Sequence, residues 1–268
     1  MSPRDWVCLM YHDVSREATR PGGGREFFSV TRETFGRQLE AIRAMGATGC
    51  SIADAMTATR QKVVAISFDD GDLGQATNGF PTLVEHGMTA TFFVTTGWIG
   101  TRGYASWDQL REMKAAGMSV QSHTHTHPFL SEMSRAQLSD ELRRSRDVLD
   151  EQLAQTTTML ALPGGDAPRP EFRGLLAELG YEVVATSRWG VNGRVGSRRP
   201  LYVKRCTVRG EPSDNLFRAI ASGDRLLAAK KQSREAILAF IRRSLGPTRY
   251  ARWRTRFLDA AAGPGTPD

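Results

Sequence analysis

Two stretches hold residues whose types and spacing can do chemistry. The first, Ser67-Phe68-Asp69-Asp70-Gly71, closes the apolar run Val63-Val64-Ala65-Ile66. Adjacent carboxylates at the end of a buried strand repel one another, and desolvation raises their pKa values. A metal ion removes that penalty, and so does a division of roles into one ligand and one base. The simpler alternative is an Asp-Asp-Gly turn whose side chains cap loop backbone. The second stretch, Ser122-His123-Thr124-His125-Thr126-His127-Pro128, holds three of the chain's five histidines. Imidazole is the commonest metal-binding side chain near neutral pH, and a catalytic zinc-type site uses three protein ligands and an open position. Asp70, His123 and His127 supply that number. The step from His123 to His127 suits one helical turn or a tight loop, with both rings facing one point and His125 pointing elsewhere. A solvent-facing His-Thr loop is the alternative.

These groups can meet only if the elements around them place them at one end of a common scaffold. Val7-Cys8-Leu9-Met10-Tyr11 reads as a first strand ending at His12-Asp13, and residues 14–30 as a long Gly-rich connection, expected to be mobile. Further strands are expected at Val63–Phe68, Thr89–Thr95, Met118–Ser122, Thr158–Leu162, Glu182–Thr186 and Tyr202–Val208. Helical stripes lie between them: one capped by Thr31, then Asn78–His86, one capped by Ser106, one opened by Ser134 and running to about Gln152, and Glu171–Leu179. Alternation with short connections is the signature of parallel βαβ units. No Gly-x-Gly-x-x-Gly follows the first strand and no phosphate loop appears, so a dinucleotide or P-loop protein is not expected. A closed or nearly closed (β/α) barrel fits best, with chemistry at the C-terminal strand ends. His12, Asp69-Asp70, His123 and His127, Pro163-Gly164 and Trp189 all fall at such ends.

With 268 residues, 40% hydrophobic and 24% charged, the chain has the composition of an ordinary soluble globular protein and the length for one large α/β domain or two small ones. The three cysteines fit no metal spacing or disulfide framework, which points to a reducing compartment. No basic region followed by a long apolar core opens the chain, so no signal peptide is expected, and no window suits a membrane span. The net charge of +7 is uneven: residues 218–256 hold eleven Lys and Arg against two acids. Such a tail suits an anionic membrane surface or another polyanion, or is simply a solvated helical face. Residues 214–246 read as helical, and Ala260–Asp268 as a Gly/Pro-rich disordered end.

Ser67-Phe68-Asp69-Asp70-Gly71 together with His123-Thr124-x-Thr126-His127-Pro128 resembles the polysaccharide deacetylase family, also known as the NodB-homology family or carbohydrate esterase family four. Ala90-Thr91-Phe92-Phe93-Val94 and Ser106-Trp107 add to the likeness, which covers roughly residues 7–210. It implies a deformed (β/α)7 barrel, expected over residues 1–212, and the tail read above then forms a basic helical extension over 213–268. It also implies metal-dependent removal of an acetyl group from an acetamido sugar. Asp69 maps to the general base, and Asp70, His123 and His127 to the ligands of a divalent ion, zinc first and cobalt or nickel next. Gly164 maps to the position whose backbone N–H helps hold the oxyanion. Leu9-Met10-Tyr11-His12-Asp13-Val14 looks like the N-terminal motif of circularly permuted members that deacetylate poly-N-acetylglucosamine, which makes His12 the general acid.

Three departures stand out. Ala161 occupies the place of the family's Arg-x-Pro-Tyr arginine and Gly164 that of its tyrosine, the Asp-Trp motif is absent, and no histidine follows His127. What orients Asp69 is therefore open; Arg205 is a candidate, although a surface position on the last strand is the simpler expectation. Trp189 either lines the cleft or covers the barrel end. The expected function is N-deacetylation of a polysaccharide, oligosaccharide or lipid-linked precursor in surface glycan synthesis, in the cytoplasm, with the basic tail in peripheral contact with the inner membrane face and no nucleic-acid partner. The alternatives are a deformylase or deacetylase of a small nitrogenous metabolite, or a non-catalytic carbohydrate-binding protein.

Overall fold

The computed structural model describes residues 5–15, 28–59, 62–193, 196 and 200–233; the expectations for residues 16–27 and for the chain beyond 233 lie outside them. The apolar runs become strands buried along their length. In chain order the elements are β1 (Val7–Tyr11), β2 (Val14–Ser15), β3 (Val30–Thr31), α1 (Arg32–Ala44), β4 (Thr48–Cys50), α2 (Ile52–Thr57), β5 (Val63–Phe68), a π-helical turn (Gln75–Gly79), α3 (Phe80–Glu85), β6 (Thr91–Val94), α4 (Trp107–Ala115), β7 (Ser119–Ser122), α5 (Arg135–Leu153), β8 (Met159–Ala161), α6 (Gly174–Glu178), β9 (Val183–Ala185), β10 (Leu201–Val203), β11 (Cys206–Thr207) and α7 (Asp214–Ala221). The helix starts follow from their caps. The Thr31 side chain accepts the Thr34 N–H, and Ser106 and Ser134 form full capping boxes with Gln109 and Gln137.

One all-parallel sheet runs β10-β9-β8-β7-β6-β5-β1-β11, with β4 paired to the first half of β5. β10 and β11 are the two halves of one bent segment. Val203 pairs with Ala185 of β9, and Cys206 pairs with Leu9 of β1. That segment closes the curled sheet into seven staves, the deformed (β/α) barrel expected from the sequence. The break at Lys204-Arg205 is what deforms it.

The two-residue repeat of each strand decides which side chains look inward. Val7, Leu9 and Tyr11 of β1, and Val64, Ile66 and Phe68 of β5, pack outward in the large cluster that includes Phe35 and Leu39 of α1 and Phe217 and Ile220 of α7. Cys8, Ala65, Phe93, Ala161, Ala185 and Val203 fill the other side in a smaller cluster. Continuing the inner parity past the strand ends reaches His12, Asp69, His123 and Arg205. The interior is built mostly of small residues, and it has room at its top for polar side chains. After α7 the chain is helical again over residues 225–233. Among the described residues no helix is long and apolar enough to cross a membrane.

Candidate active site

The structure separates the two adjacent aspartates into different environments. Asp70 leaves β5 with φ +80°, a left-handed conformation that aspartate tolerates better than most residues, and Gly71 follows at φ +88°. Its left-handed φ favours glycine there, and a Cβ would also crowd Val94 Cβ at 3.2 Å. The turn swings the Asp70 carboxylate toward the end of β7. Its Oδ1 lies 3.4 Å from His123 Nε2 and 3.5 Å from His127 Nε2.

Both imidazoles are held by their backbones. His123 continues β7, donating its N–H to the Val94 carbonyl at 2.9 Å. Its Nδ1 stands 3.0 Å from the Ala161 carbonyl, which can only accept. Nδ1 therefore carries the ring proton in the neutral form and Nε2 presents its lone pair toward Asp70. His127 returns to the same point because Thr124 and His127 take φ +67° and +61°. The Thr124 hydroxyl accepts the His127 N–H at 3.0 Å, and the Trp98 ring lies 5.1 Å from the His127 ring. Glu141 of α5 is buried and braces the loop, accepting the N–H groups of His125 at 2.7 Å and Thr126 at 2.5 Å and the Thr126 hydroxyl at 3.1 Å. His125 turns away, its Nδ1 2.8 Å from the Thr96 hydroxyl.

The donor atoms of Asp70, His123 and His127 lie within 4.8 Å of one another. Two neutral imidazoles and one carboxylate converging from two strand ends fit a small divalent ion. Burial would push the Asp70 carboxyl up, but when the His123 ring is protonated its Nε2–H donates to Asp70, and that hydrogen bond and charge outweigh burial and hold the carboxyl well below the usual carboxylate range.

Asp69 faces the other way, into the barrel. Its N–H joins the Tyr11 carbonyl at 3.0 Å, continuing the β1–β5 ladder. Its two oxygens take Arg205 Nη1 at 2.5 Å and Nη2 at 2.8 Å, in a pair whose guanidinium is fully buried. This corrects the expectation that Arg205 is a surface residue. The bend between β10 and β11 turns it inward over the Phe93 ring, where its Nε also donates to the Thr186 carbonyl at 3.1 Å. Burial alone would raise the Asp69 pKa, but the Arg205 charge outweighs it and keeps the group ionised. Arg205 thus occupies the role left open at Ala161, from a different stave.

His12 leaves β1 beside Asp69, its ring 4.8 Å from that of Phe28. Burial holds its pKa below the ordinary histidine value, against the pull of Asp69 and Asp70. Gly164 lies in the exposed first turn after β8, at φ +56° and three residues past the carbonyl that orients His123. Trp189 does not line the cleft. It is buried in the large outer cluster beneath α7, and the Gln232 amide donates to its carbonyl at 2.9 Å. Sequence reasoning passed over Glu141 as well, although an acid on the inward stripe of α5 beside Leu138 and Leu142 was a signal.

A sequence model described as "Polysaccharide deacetylase" matches residues 56–184. YxkH of Bacillus subtilis, named for polysaccharide deacetylation, is 26% identical over 192 residues, 72% of this chain and 68% of its own length. The poly-β-1,6-N-acetyl-D-glucosamine N-deacetylase of Staphylococcus aureus is 24% identical over 158 residues, 52% of this chain and 54% of that protein. Among solved structures, the Streptococcus pyogenes deacetylase PplD, in complex with acetate, superposes with a TM-score of 0.73 at 26% identity, covering 82% of this chain and 99% of its own. IcaB from Ammonifex degensii gives 0.69 at 26% identity over 81% and 95% of the two chains.

Proposed function

We propose that the chain, which matches the polysaccharide deacetylase model over residues 56–184, is an amide hydrolase of that family and removes the acetyl group from an N-acetylated saccharide with the help of a divalent metal. One observation carries this reading: neighbouring aspartates divide, Asp70 toward two imidazoles and Asp69 into a bidentate pair with Arg205.

Asp70, His123 and His127 would hold the ion, zinc suiting two imidazoles and a carboxylate best, with cobalt and nickel next. When bound, it supplies a Lewis acid that polarises a carbonyl and makes water far more acidic. Asp69, kept ionised by Arg205, has lone pairs left over to take the proton of the attacking water. His12 gives a proton to the departing amine, and its depressed pKa makes the protonated ring a stronger acid. The Gly164 N–H steadies the oxyanion.

The name of the S. aureus relative points to a β-linked N-acetylglucosamine polymer as one substrate. Our reading places the reaction in the cytoplasm, on a polysaccharide, oligosaccharide or lipid-linked precursor in surface glycan synthesis. Residues 1–212 form the catalytic unit; the extension over 213–268 begins with α7, packed on that unit through Phe217 and Ile220, and its basic remainder touches the anionic inner leaflet rather than nucleic acid. Eleven cations against two acids in residues 218–256 support that contact. Equal co-sedimentation with anionic liposomes, with and without residues 234–268, would remove it.

The deciding experiment measures bound metal and the acid released across a panel of N-acetyl sugars and small N-acyl amines. We expect about one ion per chain and acetate from a sugar. Formate, or acetate from small amines alone, would favour a metabolite deformylase or deacetylase; a metal-loaded protein that binds sugars without releasing acetate would be a carbohydrate-binding protein.

A further inference from the structure

The helix after β5 does not start as an α-helix. Residues Gln75–Gly79 form a π-helical turn before α3, a form that often marks functional sites. The turn is pressed against the chain just past β1. A Cβ on Gly74 would fall 2.1 Å from Asp13 Oδ1 and 2.5 Å from the Val14 carbonyl oxygen, so only glycine permits the approach. Asn78 fastens the same contact, its Nδ2 donating to the Val14 carbonyl at 2.7 Å.

That approach brings in Gln75, a polar side chain only 1% exposed. Its Nε2 donates to the His12 carbonyl at 2.7 Å and also to the Asp69 carbonyl. Carbonyls only accept, which fixes which end of the amide faces them, and the two amide protons match the two acceptors. One side chain therefore ties the main chain at His12 to the main chain at Asp69.

The two tied residues need the tie unequally. The Asp69 side chain is independently fixed by its two bonds to Arg205. The His12 ring has no such anchor: its Nδ1 is buried without a hydrogen-bond partner among the described residues, and Phe28 packs against the ring. Where that ring points is set by where its backbone is held. We propose that Gln75 is a positioning residue that acts through His12, holding the proton donor in register with Asp69. This rests on the reading of His12 as proton donor given above.

Gln75→Met keeps the side chain's length and removes both donors, and Gln75→Glu places an acceptor against two acceptors. In the metal-loaded protein, kcat should fall by about 10- to 100-fold in Gln75→Met and further in Gln75→Glu, since small misplacements of reacting groups cost that much. KM and metal affinity should stay within about twofold. In a His12→Ala background, Gln75→Met should cost less than about twofold more, the limit for a residue acting through another. Unchanged kcat, or full additivity in that background, overturns the proposal. If Gln75→Met does not fold, Gln75→Asn retains both donors one methylene short and should show the same loss at smaller size. If the wild type releases no acetate, the functional reading fails and the tie is read by NMR instead. The His12 ring signals should then move in Gln75→Met while those of His86 stay, and static His12 signals overturn the proposal.

Discussion

The two halves of the site are built by different rules. The half to which we assign the metal takes Asp70, His123 and His127 from two strand ends and bends the chain to aim them, through left-handed turns at Asp70, Thr124 and His127 and the brace from Glu141. The half to which we assign proton transfer recruits side chains from around the barrel: Asp69 from β5, His12 from β1, Arg205 from the bend between β10 and β11. Metal ligands must converge on one point, so their spacing is constrained. A counter-charge to a buried carboxylate can enter from any stave, because every stave turns alternate side chains to the same interior. This explains how Ala161 can stand where the family's arginine is expected while the base stays paired.

Variants that break one half and spare the other sharpen the contrast. The largest effect should come from Asp69→Asn, which keeps the shape but cannot accept a proton: kcat should drop about 10³-fold with metal content unchanged by elemental analysis. Loss of metal in that variant would mean that the halves are one unit. His127→Ala should act oppositely, weakening metal affinity by on the order of 100-fold or more, beyond what outer-shell changes cost, as seen by competition with a chelator. Arg205→Met leaves a buried carboxylate without its cation, which should cost about 3–5 kcal/mol in denaturant unfolding. The sign with pH follows from the depressed Asp69 pKa. The pair's stabilisation is present above the ordinary carboxylate value and lost as pH falls through the lower folded value. In the variant burial dominates, so the acid limb of kcat/KM should move to higher pH, and a limb that stays put would show that Arg205 does not set the base. Glu141→Gln should have the smallest effect, about 10-fold in metal affinity with little change in the pH profile.

Much of this was legible in the residues. β5 spans Val63–Phe68 as expected, the Ser134 capping box formed as read, and the Ser106 cap proved to be a full capping box too. The converging Asp-His-His set could be read because its residue types are rare together and close in the chain. Arg205 could not. In the last strand Tyr202 and Lys204 face out and Val203 and Arg205 face in, but Cys206, Thr207 and Val208 are then all buried. Alternation fails at the bend, and the bend exists only because one segment must pair with β9 and β1 in turn. β4 was missed because Thr48-Gly49-Cys50 has no apolar run, although it pairs with β5 and buries Cys50 beside Val63 and Ala65. The Gln75 tie lay in a stretch expected to become helix only from Asn78, since a π-turn has no sequence period of its own.

The bend at Lys204-Arg205 also sets the order in which the site can come into being. Asp70, His123 and His127 are all synthesised and can gather before the last stave exists, so a half-made chain already holds the groups for an ion. The cation over Asp69 arrives only with the segment that completes the ladder between β9 and β1. Closing the wall buries Asp69 and brings in the cation that keeps it ionised, so burial and counter-charge arrive in one molecular event.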